Sequence, residues 1–84
     1  MKIQTSLDWE VASAELKSQL TQLSYNNDLR KMLKSIDIMV SQLSILEVEA
    51  RRTKNTTRTK PKLAEINEAI DNLDKWITMA ILLE

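Results

Sequence analysis

The sequence predicts an all-α chain, a small three-helix bundle built on a long antiparallel helical hairpin, and three observations lead there. Two stretches carry apolar residues in heptad register, the 84 residues include no glycine and one proline, and a basic, almost wholly polar stretch lies between the two heptad stretches. A heptad repeat places apolar side chains along one face of a helix. Without glycine, positive-φ turns, phosphate-cradling loops and tight hairpins have no ready residue, which leaves helices joined by polar loops.

The first helix is expected over about residues 6–24. Thr5 with Asp8 three residues later matches a capping box and puts an acid in the first turn. Trp9, Ala12, Leu16, Leu20 and Leu23 follow at spacings of three and four, one narrow apolar stripe. A lone tryptophan on such a stripe belongs to the core, and Trp9 is placed there. The cluster Tyr25-Asn26-Asn27-Asp28 then breaks the phase, with asparagine and aspartate side chains suited to capping a new helix.

The second helix is expected over about residues 28–52. Leu29, Ile36, Leu43 and Ala50 are seven apart, Met32, Met39 and Leu46 lie three after the first three of them, and Leu33 and Val40 join at the neighbouring position. This seam is long enough for helix pairing and short for an extended coiled coil. Ile38 and Ile45 fall nearly opposite it, with Val48 toward the side, so the helix is apolar on two faces. The expectation is that the first helix covers the second face; a seam between protomers is the alternative.

The third helix is expected over about residues 61–83. Pro61 suits a first turn, where its missing N–H is not needed, and it pushes Lys60 before it toward extended geometry. Leu63, Ile70 and Ile77 are seven apart, Ile66, Leu73 and Ala80 are offset by three, and Ala69, Trp76 and Leu83 widen the stripe. From Trp76 to Leu83 the apolar residues wrap most of the circumference, and a helix apolar all round seeks burial all round. Trp76, Met79, Leu82 and Leu83, with Ile38 and Ile45, are therefore the candidate apolar contact residues for a partner or a second copy. The plainer alternatives are a frayed helix end, or Trp76 and Trp9 closing the core together.

The loop expected at about residues 53–60 and its flanks carry the second candidate surface. Arg51, Arg52, Lys54, Arg58, Lys60 and Lys62 fall within twelve residues that hold no acid. Residues 1–27 carry −1, residues 28–50 −1, residues 51–62 +6 and residues 63–84 −4, which gives the net charge of zero. Charge is segregated along the chain. Such a tip can meet phosphates or an acidic protein surface. It has no interleaved aromatic side chains to stack bases, and no broad basic face surrounds it, which favours a solvated or protein-facing role over nucleic acid.

Composition argues against catalysis. Cysteine is absent, so there is neither a disulfide framework nor a thiolate metal site. Histidine is absent too, which removes the commonest general base and metal ligand. The serines have no glycine elbow and no obvious activating base. Glu65 with Glu68 and Asp71 with Asp74 are spaced for one side of a helix, but acids on a wet face near a helix N-terminus serve solubility and the helix dipole. No enzyme activity, cofactor or metal is expected. Residues 1–6 lack the apolar run of a secretory signal, and no apolar stretch approaches the roughly 20 residues of a membrane span, so a soluble, cytoplasmic protein without membrane contact is expected.

The function these surfaces suggest is binding to another protein, as an adaptor, chaperone-like protein or inhibitor, with the chain itself a homodimer. The alternative is a nucleic-acid-associated regulator whose dimer presents two basic loops. At 84 residues a single domain sits near the size where one core only just outweighs folding entropy, so help from a partner or second copy is expected.

Overall fold

The computed structural model describes residues 2–23 and 26–83. Met1, Ser24, Tyr25 and Glu84 lie outside the described residues, and with them the expected end of the first helix at residue 24 and the tyrosine of the break. Three helices pack together, α1 (Asp8–Leu20), α2 (Asn27–Thr53) and α3 (Thr59–Leu83), with no strand among the described residues. At 1.5 Å per residue α2 and α3 run about 40 Å and α1 about 20 Å, in a body of 49 × 17 × 16 Å. α2 packs chiefly on α3, and α1 touches both.

α1 is shorter than its stripe because the stripe continues into turns. The N–H groups of Asp8, Trp9 and Glu10 bond three residues back, to Thr5, Ser6 and Leu7, and beyond Leu20 those of Gln22 and Leu23 do the same. These tighter turns carry Leu23 into the core although it lies past the helix. Half of the predicted capping box forms. Asp8 Oδ2 accepts the N–H of Thr5 at 3.1 Å and that of Gln4 at 2.8 Å, while no side chain caps the helix start itself.

α2 begins where the asparagine cluster predicts. Asn26 is extended, and its Oδ1 accepts the Leu29 N–H at 3.2 Å, satisfying one of the donors a helix start leaves free. Its far end departs from expectation, since Lys54 adopts the left-handed conformation, φ 55° and ψ 32°, at the C-cap. The chain makes this positive-φ turn without glycine, at the steric cost a Cβ brings.

The connection is shorter than expected, residues 54–58, because α3 is entered before its proline. The Thr56 carbonyl accepts the N–H groups of both Thr59 and Lys60, at 3.2 and 3.4 Å. Lys60 is thus helical, contrary to the extended geometry expected ahead of Pro61. The proline costs α3 nothing in its first turn, and the Thr56 carbonyl holds the preceding residue in place. Asn55 Oδ1 accepts the Thr57 N–H at 3.0 Å and also its hydroxyl, so the loop's own polar side chains fold it.

The core is one cluster. α2 contributes Leu29, Leu33, Ile36, Val40 and Leu43, α3 contributes Ile66, Ile70, Leu73 and Ile77, and Trp9, Ala12, Leu16, Leu20 and Leu23 complete it. Met32 and Met39, at the second position of the α2 heptads, are only partly buried. The arc of α2 that is covered turns toward Leu33 and Val40 because it must face two helices. The core also holds Ile3, which the sequence reading left outside any element. Its backbone is held by a buried side chain of α3, Asn67, whose Oδ1 accepts the Ile3 N–H at 2.8 Å and whose Nδ2 donates to the Ile3 carbonyl at 2.9 Å.

Candidate interaction surfaces

α1 settles into the groove between α2 and α3 through its one apolar stripe, and its position is fixed by polar contacts at its edges. Trp9 is 6% exposed and its Nε1–H donates to Asp37 of α2. Ser6 donates its N–H to Glu47 Oε2 at 2.9 Å and its hydroxyl to Glu47 Oε1. Both anchors lie to one side of α2, which decides what stays uncovered.

Ile38 and Ile45 remain 58% and 69% exposed, with Val48 exposed beside them. The expectation that α1 covers this second apolar face of α2 is therefore corrected. α1 needs both α2 and α3 to bury a stripe that includes Trp9 and Leu16, and the groove between them offers that where the back of α2 does not. The α2 face stays open, bordered by Ser44, Glu49 and Arg52.

The end of α3 is the larger open apolar surface. Trp76 is 55%, Leu82 79% and Leu83 85% exposed, and Met79 and Ile81 are exposed with them. Trp76 does not join Trp9 in the core, because Ile77 and Leu73 already occupy the inward side of that turn. Trp76, Met79, Ala80 and Leu83 instead form one wall of a shallow groove of about 360 Å³, opposite Leu29 and Met32 near the start of α2. Leu82 points elsewhere on the same end, so the helix presents apolar side chains on more than one side.

A third open pair, Leu7 and Val11, lies on the outer side of α1. The spacing of four and then three, Leu7 to Val11 to Ala14, was legible in the sequence; the single stripe through Trp9 masked it.

At the opposite end, the six basic residues separate into two groups. Arg58 meets Glu49 at 3.4 Å, and Lys62 meets Glu65 at 3.6 Å while donating to Gln42 Oε1 at 2.8 Å. The Arg58 pair is largely exposed and holds little energy, whereas the Lys62 side chain is mostly covered. Arg51, Arg52, Lys54 and Lys60 make no ion pair among the described residues; Arg51 and Lys60 line one groove, and Arg52 borders the open face of α2. Of the acidic pairs on α3, Glu65 is spent on Lys62, and among the described residues no three acids converge where a metal ion could be held. No helix among them is long and apolar enough to cross a membrane.

Comparison with protein-family models, with curated proteins and with solved structures finds no match.

Proposed function

We propose that this chain is a non-enzymatic binding protein, an adaptor, chaperone-like protein or inhibitor, that acts on another protein and is itself a dimer in the cytoplasm. In this reading α2 and α3 are an antiparallel hairpin with a working surface at each end. The observation that carries the reading is that the bundle completes its core without Trp76, Met79, Leu82 or Leu83. Four large apolar side chains held on the last turns of a regular helix are costly to leave in water, and tryptophan is enriched where interfaces take most of their energy. The basic tip, with Arg51, Arg52, Lys54 and Lys60 free of ion pairs among the described residues, supplies orientation and on-rate toward an acidic surface.

The test is affinity capture of the tagged protein from its native cell lysate, with and without nuclease, beside a variant carrying Trp76→Ser and Leu82→Ser. The expected result is one protein retained in near-equal amount, unaffected by nuclease and lost with the variant. Retention that nuclease abolishes would overturn the reading in favour of a nucleic-acid-associated regulator, for which the same four unpaired cations speak. That second reading also requires affinity to fall steeply with salt.

A further inference from the structure

The bundle has three elements in cross-section only along part of its length. α1 covers about 20 Å of the roughly 40 Å of α2, and toward the tip only the segment 4–7 continues beside the helix pair. The vacant third position is a groove of about 540 Å³ between that segment, the last turns of α2 and the first turn of α3. This size falls within the range of roughly 300–1,000 Å³ found for small-molecule sites.

Its chemistry is mixed in a definite way. Half-buried Ala50 and Leu63 line it with apolar surface over the buried Leu43, and Leu7 adds an exposed apolar side chain at its edge. The one acid that lines it, Glu47, has both oxygens occupied by Ser6, the contact that holds the segment 4–7 as a wall. Arg51 and Lys60 line it as well, and neither makes an ion pair among the described residues. Two cations against one carboxylate leave the groove one positive charge, which matches a monoanion better than a phosphate dianion.

We propose that this groove binds an amphipathic carboxylate, its hydrocarbon chain on Leu7, Ala50 and Leu63 and its headgroup at Arg51 and Lys60. The apolar lining supplies burial that is roughly proportional to chain length, and the two cations supply charge-assisted hydrogen bonds that a neutral chain cannot use. The site shares Arg51 and Lys60 with the basic tip but is separate from the apolar end of α3, so it stands whether or not that end binds a protein.

The experiment is an NMR titration of ¹⁵N-labelled full chain with decanoate, kept below its micelle-forming concentration, beside decanol as the neutral chain of equal length. Decanoate is expected to shift the amides of Ala50, Arg51, Lys60 and Leu63 saturably, and to bind about tenfold or more tightly than decanol. Arg51→Gln with Lys60→Gln, both exposed and free of ion pairs among the described residues, is expected to abolish that preference with the helical circular dichroism unchanged. Shifts confined to Trp76–Leu83, equal binding of decanoate and decanol, or an unaltered preference in the double variant would each overturn the assignment.

Discussion

Asn67, within α3, grips the backbone of Ile3 with both ends of its amide, accepting the N–H at 2.8 Å and donating to the carbonyl at 2.9 Å. Sixty-four residues separate the two, so this pair joins the start of the described chain to its last helix. The buried amide has its partners here and nowhere else in the core, and the side chain of Ile3 fills the space beside it. Asn67→Ala removes two hydrogen bonds of about 1 kcal/mol each, so a loss of about 2 kcal/mol in urea denaturation is expected. Ile3→Ala is expected to cost a similar amount, and the double variant less than the sum, because one contact frees the other.

The two tryptophans report opposite environments. Trp9 is buried with its N–H on Asp37, and Trp76 is more than half exposed on the end of α3. In Trp76→Phe the remaining emission should be blue-shifted and resistant to acrylamide. In Trp9→Phe it should be red-shifted and readily quenched at low protein concentration, then grow protected as concentration rises if that end joins protomers.

Lys54 gives a direct measure of the strain at the end of α2. A side chain in the left-handed region costs roughly 1–2 kcal/mol relative to glycine there, and Lys54 is exposed. Lys54→Gly should raise the midpoint of urea unfolding by an amount equivalent to about 1 kcal/mol, with no change in helix content beyond the loop.

Neighbouring isoleucines on α2 separate core from surface. Ile36 is buried at the centre of the bundle and Ile38, half a turn away, is exposed. Ile36→Ala should cost about 2–5 kcal/mol, whereas Ile38→Ala should stay within about 0.5 kcal/mol in the monomer. A large loss at Ile38 would mean that its face is covered in solution.

These residues also show what could be read before the fold was seen. The heptad positions on α2 and α3 were legible because a helix that packs along its whole length needs an apolar residue at every turn, and Asn26 was legible as a cap because its side chain acts on a backbone three residues away. Ile3 was not, since one apolar residue in a polar stretch has no period; only the amide of Asn67 places it. The open back of α2 was misread for a related reason. Ile38 and Ile45 have the spacing of a buried seam, but spacing does not say which neighbour arrives, and α1 chose the groove where Trp9 finds Asp37 and Ser6 finds Glu47. Lys60 was misjudged, and the positive φ of Lys54 was not foreseen, because local steric preferences yield when α2 and α3 must connect within five residues.

If the end of α3 joins two protomers, sedimentation equilibrium of the full chain beside a variant with Leu82→Ser and Leu83→Ser will separate them by mass. Both leucines lie outside the core, so the variant should keep its helicity and unfold at nearly the same urea concentration. A mass twice that of the 9.7 kDa chain is expected for the parent protein and a single-chain mass for the variant. The same mass for both proteins across the concentration series would contradict it.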